Sequence, residues 1–283
     1  MTHSFIYALI SLLFAGSNDT LLKKQATSGH CQSQYMAIVG AVWSSVFIGS
    51  ALYQRQYPPS WETIKWTLTI GVLSAFANYM LIYSMRKLEA SVASTIYRLN
   101  LALAAIIAFV FLAEPITILK ILGLLLACSA VFCFAQHQQK ILSKGLWPML
   151  LIVVIASAMR AVFGICYKVA LAKGVEYMWL LSGPGLGWTV LGITTAFNSG
   201  GLKIPTGNLL RGMFSGFLLC GLIYFFVKAL EDGQASIIIP VSQMSFVVTA
   251  VLAWLFFGEK PSIRKIAGLI LACLSISILS QSK

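Results

Sequence analysis

Sliding the chain along itself by 145 residues lays one half on the other without a gap, and 25 of 138 paired positions are identical. The matches cluster. Lys23 meets Lys168, Trp43 meets Trp188, Gly71 meets Gly216 and Tyr79 meets Tyr224. Ala90-Ser91 meets Ala235-Ser236, Glu114 meets Glu259, and the run Gly123 to Cys128 (GLLLAC) meets Gly268 to Cys273 (GLILAC). Shared apolar composition gives scattered coincidences, not clusters at the ends of apolar runs. One structural unit is therefore used twice, and any fold must give both copies equivalent surroundings.

The unit is a set of membrane helices. A span needs about 20 apolar residues, and ten runs qualify: 4–22, 34–53, 65–85, 90–112, 116–136, 147–172, 177–198, 209–230, 234–257 and 261–280. The chain is 59% hydrophobic and 10% charged, against about 25% charged in soluble domains. A transmembrane barrel would show short alternating segments instead. The sequence thus predicts an all-α integral membrane protein. Its parts are a five-helix repeat over 1–137, a polar linker at 138–145 and a second repeat over 146–283. Five is odd, so the second copy must enter the membrane from the opposite side. Ten helices as two inverted repeats around a central cavity is a carrier architecture, with the substrate near the midplane between the halves. The N-terminal Met-Thr-His-Ser lacks the basic start of a signal peptide, so the first run is expected to be a retained span.

Several function classes drop out. The net charge of +12 sits singly or in pairs at the ends of apolar runs, as interface anchors do. It forms no basic stripe, which argues against a nucleic-acid partner. Five of the six cysteines lie inside apolar runs and none forms a CxxC pair, so they read as small buried hydrophobes. His3, His30 and His137 lie outside spans or at their ends, and no HExxH, GxSxG or P-loop occurs. No enzyme, metal or cofactor is expected.

In both halves a Tyr is followed by Ala-Ser and then by a long apolar run closing in Glu: Tyr79, Ala90-Ser91 and Glu114, then Tyr224, Ala235-Ser236 and Glu259. A glycine-led helix ends each half, from Gly123 and from Gly268. In these features and in its five-plus-five duplication the chain resembles the EamA-type ten-helix transporters of the drug/metabolite transporter superfamily, over essentially its whole length. The resemblance implies a proton-coupled or exchange carrier of small metabolites. It also implies a cavity lined mainly by spans 1, 3, 4, 6, 8 and 9, and a bacterial cytoplasmic (inner) membrane with cytoplasmic termini. The basic residues lean the other way. Termini inside would place Arg55, Lys65, Lys120, Lys168, Lys173, Lys228 and Lys283 there, against eleven opposite, where the positive-inside rule wants the excess inside.

The embedded polar residues are the candidate site. Arg98 lies eight residues past Ala90, about 12 Å deep at 1.5 Å per residue. An arginine there costs at least about 2.5–3.5 kcal/mol, so it must face a cavity or a partner. Ser91, Ser94 and Thr95 share its helix face, and Gln243 is its repeat mate. It is either an anion-binding guanidinium with Gln243 across the pseudo-twofold axis, or a structural group tied to a carboxylate or helix carbonyl. Arg160, mid-span with Ser157 and Gly164 on its face, is the second candidate cation. Two embedded arginines point to a carboxylate or phosphate held bidentately. Asp19, the carboxylate within a span, is either paired with Lys23 or acts as a proton site or a partner to an arginine. Asn78, Tyr97 and Asn100 are further lining candidates. Trp43 and Trp188 are either a substrate clamp or packing. Pro184, in a Gly-Pro-Gly expected to break span 7, and Pro240, beside Gln243, are gating candidates. Glu114 and Glu259 each precede the following helix and are expected to favour its N-terminus.

The expected function is secondary active transport by alternating access. The substrate is a small metabolite with an anionic group, such as an amino acid or related compound, and the expected process is proton-coupled export. Uptake or exchange of an organic anion or phosphorylated metabolite is the second reading, and a passive channel the reading from another class. Ten spans suffice for a monomeric carrier, and a dimer is equally compatible.

Overall fold

The structure is a computed structural model that describes residues 2–26, 31–56, 59–85, 87–88, 90–134, 146–198, 205–258 and 262–282. Among these residues there is helix and no strand. The first half holds α1 (Thr2–Ala26), α2 (Gln32–Tyr53), α3 (Trp61–Ser84), α4 (Ala90–Arg98), α5 (Asn100–Phe111) and α6 (Ile118–Phe134). The second holds α7 (Trp147–Ala172), α8 (Tyr177–Asn198), α9 (Thr206–Asp232), α10 (Ala235–Gln243), α11 (Phe246–Phe257) and α12 (Ile263–Gln281). Local chemistry sets several ends. The Ser60 hydroxyl accepts from the Thr63 amide at 3.1 Å to start α3, and Ser262 caps α12 in the same way. Pro148 opens α7, where its missing N–H costs nothing. Gly258 ends α11 at φ 65°, the left-handed conformation glycine adopts without strain.

Among the described residues, eight stretches are long and apolar enough to cross a membrane: α1, α2, α3, α4–α5 together, α7, α9, α10–α11 together and α12. The apolar α6 has 17 residues. The 22-residue α8 is diluted by Gly183, Gly185, Gly187 and Gly192 and three threonines. The linker 138–145 lies outside the described residues.

Two expected spans are interrupted. Run 90–112 breaks at Leu99 and run 234–257 at Met244–Ser245. The breaks are repeat mates with the same local geometry. Leu99 N–H bonds the Ile96 carbonyl and Ala102 N–H bonds Leu99, while Met244 bonds Val241 and Val247 bonds Met244. These three-residue bonds tighten the helix for one turn and free nearby carbonyls. Conversely, Pro184 does not break its span: α8 runs through it without interruption. The reason is close packing. A Cβ on Gly187 would sit 2.3 Å from the Gly71 carbonyl oxygen, and one on Gly183 would sit 2.4 Å from that of Thr67. The small residues let α8 lie directly on α3, as in tightly packed membrane helices.

The packing is twofold symmetric in pattern. The mates α2 and α8 pack together, as do α6 and α12. The α1–α9 contact is mirrored by α7–α3, α2–α9 by α8–α3, α1–α11 by α7–α5, and α1–α10 by α7–α4. The largest departure from the pattern among the described residues is that α10 packs along α5, whereas the equivalent approach of α4 to α11 is far weaker. The two ends of the bundle are therefore not in the same state.

Candidate functional site

A cavity of about 220 Å³ lies between the two halves. Its walls come from α1 (Ser11, Asn18, Asp19), α3 (Ser74, Asn78), α4 (Ser94, Tyr97, Arg98), α7 (Arg160, Phe163), α9 (Leu219, Phe226) and the α10 break (Ser242, Gln243, Ser245), with Trp43 and Trp188 from α2 and α8. On α1 the lining runs from Ser11 to Leu22, on α3 from Ser74 to Leu81, and on α4 from Ser94. On α9 it runs from Leu219 to Phe226, the repeat mates of Ser74 and Leu81, so α3 and α9 contribute equivalent stretches.

The two halves are tied together at the end of the bundle where α5 finishes and α10 begins. Glu114 accepts from the Ala235 amide at 2.6 Å and the Ser236 amide at 2.9 Å, and the Ser236 hydroxyl also donates to it. Its expected place before the following helix is thereby corrected: Glu114 caps α10 of the other repeat, whose unpaired first-turn N–H groups are a better partner for a carboxylate. Glu259 lies outside the described residues. Nearby, Glu176 accepts from Ser60 and Thr63, Lys173 pairs with Glu62 at 3.2 Å, and Trp179 donates to the Gln56 carbonyl.

Arg98 is held in the cavity wall by three partners. Its Nη1 donates to the Gln243 carbonyl at 3.1 Å and to the Ser245 hydroxyl at 3.2 Å, and its Nη2 meets Asp19 Oδ2 at 3.2 Å. The Ser245 hydroxyl also donates to Asp19, at 2.8 Å. The arginine therefore satisfies a carbonyl freed by the α10 break and neutralises the α1 carboxylate. At the other break Asn100 Nδ2 and the Ser157 hydroxyl donate to the Tyr97 carbonyl, at 2.7 and 3.2 Å. Asn100 is fully buried in that role and does not line the cavity. Pro240 is buried within α10, one turn before the break.

Arg160 differs. It lines the cavity, its guanidinium lies 4.6 Å from the centroid of the Phe163 ring, and among the described residues it makes no hydrogen bond or ion pair. Asn78 also lines the cavity, with its amide nitrogen on the Ser74 carbonyl at 2.7 Å. Tyr97 lines it too, and its hydroxyl is buried without a partner. Among the lining residues the sequence reading missed, Ser245 is the one that bonds both Arg98 and Asp19. The available signal was its repeat mate, Asn100, which serves the other break. Among the described residues no cluster of His, Cys, Asp and Glu could hold a metal ion.

Comparison with curated proteins found no match. A solved crystal structure of a protein superposes with a TM-score of 0.81 over 98% of this chain and 96% of its own. The two share 13% identity, so that likeness speaks to the fold. The family model for EamA-like transporters matches twice, over residues 3–136 and 147–281, one match per half. With this double match, the helical bundle and the polar cavity at its centre, the chain belongs to the EamA-like transporter family of the drug/metabolite transporter superfamily and is a multi-pass membrane transporter.

Proposed function

We propose that the protein is a secondary active carrier that exports a small metabolite bearing an anionic group, by alternating access of the central cavity. Residues 1–137 and 146–283 act as inverted five-span repeats, with α4–α5 and α10–α11 each counted as one discontinuous span. The observation that carries the reading is Arg160, a cation facing a cavity between the halves with no anion among the described residues paired to it. A charge left so in a membrane protein is costly unless a ligand completes it. Asn78, Tyr97 and Gln243 shape the rest of the site. Asp19, bridged to both Arg98 and Ser245, is the coupling group: protonation would release Arg98 and loosen α1 from α10. The termini are placed in the cytoplasm and the protein in a bacterial inner membrane.

The experiment is counterflow in proteoliposomes loaded with acidic, zwitterionic or cationic metabolite pools. Saturable exchange of a pool carrying a carboxylate or phosphate, lost in Arg160→Gln, is the expected result. Flux that neither saturates nor exchanges would instead mark a passive channel. Uptake driven by an outward substrate gradient alone would favour the exchanger.

A further inference from the structure

We infer that Arg98 is a second anion-binding arm masked by Asp19, and that a proton on Asp19 unmasks it, so that the cavity takes a dicarboxylate and a proton together. The inference rests on the carrier reading above and deepens it, adding an arm, the valence of the substrate and the sense of the coupling.

Asp19 stands where a guest carboxylate would. Nη1 of Arg98 is anchored on protein, at 3.1 Å from the Gln243 carbonyl and 3.2 Å from the Ser245 hydroxyl. The adjoining edge, Nη2 with Nε, has Asp19 Oδ2 at 3.2 Å as its partner among the described residues. That one oxygen also accepts from Ser245 at 2.8 Å. Asp19 therefore meets the edge through a single bond, where a matched carboxylate makes two parallel ones. The pair is not sealed in the core. The two side chains remain 24% and 29% exposed, and both residues line the cavity. When Asp19 takes a proton its hold on the edge weakens. Nη1 stays anchored, and a two-donor edge is left for the guest.

Charge sets the valence. The charged residues on the cavity wall are Asp19, Arg98 and Arg160. With Asp19 ionised they sum to one positive charge, and a monoanion at Arg160 balances it. With Asp19 protonated they sum to two, and a dianion is needed. A dianion beside ionised Asp19 would leave one negative charge unpaired in a cavity of about 220 Å³, where low polarisability magnifies the repulsion. Proton and dianion thus raise each other's affinity by the same factor. Each guanidinium is braced by a ring, Arg98 at 5.4 Å from the Phe246 centroid and Arg160 at 4.6 Å from that of Phe163. The two stand on different helices, α4 and α7, so two carboxylates on a short chain match them better than one phosphate centre does.

The neighbours leave Asp19 as the group that titrates. Arg98 and Tyr97 reach it from α4, Arg160 faces the same cavity from α7, and Tyr35 lies within electrostatic range from α2. Its surroundings from α9, α10 and α11 are the neutral Ser215, through Asn18, and Gln243 and Ser245. The Lys23 side chain lies outside the described residues. A dianion and one proton carry one net negative charge per turn, so an interior-negative membrane potential drives them outward, in agreement with export.

The test is calorimetric titration of the full chain in nanodiscs with succinate and monomethyl succinate, at neutral and mildly alkaline pH where succinate stays a dianion. Succinate is expected to bind more tightly as the pH falls, while its monoester changes little. Asp19→Asn should tighten succinate by roughly tenfold or more at alkaline pH and abolish its pH dependence. Adding Arg98→Gln should remove that gain and leave the monoester bound, which shows that the fold survives. Arg98→Lys keeps the charge without the two-donor edge and should recover part of it. A ratio of succinate to monoester affinity that Asp19→Asn leaves unchanged overturns the inference, and so does failure of both probes to bind. Counterflow separates this claim from the carrier reading. Exchange of monoanions with no gain for succinate in Asp19→Asn leaves the carrier and removes the second arm. The succinate gain without exchange of any pool removes the carrier and leaves the arm.

Discussion

At the scale of single residues, two arginines that look alike in sequence have unlike surroundings. Arg98 is enclosed by Asp19, Ser245 and the Gln243 carbonyl, while Arg160 has an aromatic ring and open cavity. Removing one partner of a fully buried pair costs about 3–5 kcal/mol. The Arg98 and Asp19 side chains remain 24% and 29% exposed, so Asp19→Asn should cost less, about 1–3 kcal/mol. Thermal unfolding in detergent should show a lower midpoint for Asp19→Asn, and partial recovery when Arg98→Gln is added. A double variant at the sum of the two single losses would mean the pair is not coupled. The coupling role has its own readout: Asp19→Asn should keep counterflow of the anionic pool while losing its response to an imposed pH gradient. The partnership was half legible in the sequence. Repeat alignment set Arg98 opposite Gln243, and an embedded arginine needed a partner, but that Asp19 pairs with Arg98 required the fold. The contact is to the Gln243 backbone, and no residue type announces a carbonyl.

At the scale of elements, the spans were legible and their interruptions were not. Length and hydropathy place the helices because lipid leaves the backbone no other partner. The breaks at Leu99 and Met244 carry no glycine or proline; Leu99 keeps a helical backbone at ψ −6°, while Met244 turns out of it at ψ 23°. The prolines misled in the opposite direction, since Pro184 sits in a continuous helix whose glycines serve contact with α2 and α3. That contact makes a sharp prediction. In Gly187→Ala the new methyl would lie 2.3 Å from a backbone oxygen, which no rotamer change relieves. The loss should reach about 1–3 kcal/mol or more, read as a lower unfolding midpoint and a smaller monodisperse fraction on size exclusion. By contrast Gly49→Ala meets nothing within 4 Å and should be silent.

At the scale of the whole molecule, a symmetric packing pattern is joined at one end by hydrogen bonds between the halves. The repeated Ala-Ser and Glu signals were visible as letters. Their meaning appears only when Glu114 is found on Ala235 and Ser236 of the other copy, which makes the motif a latch between repeats. A carboxylate on helix N–H groups contributes about 0.5–2 kcal/mol, enough to bias an equilibrium between two nearly equivalent packings. Glu114→Gln should therefore shift the population toward the form open at the opposite end. Two reporters read this in a background without the native cysteines. Leu81→Cys lines the cavity, and Ile238→Cys sits one turn into α10 at a position 2% exposed. With Glu114 intact, a membrane-impermeant maleimide should modify Leu81→Cys from one face of the membrane and leave Ile238→Cys protected from both. With Glu114→Gln, Leu81→Cys should react more slowly, and Ile238→Cys should become reactive from the other face. That pattern would also fix which face holds the termini. Labelling of both positions from the same face would mean that the latch opens the molecule without rocking it, and alternating access about this cavity would have to be abandoned.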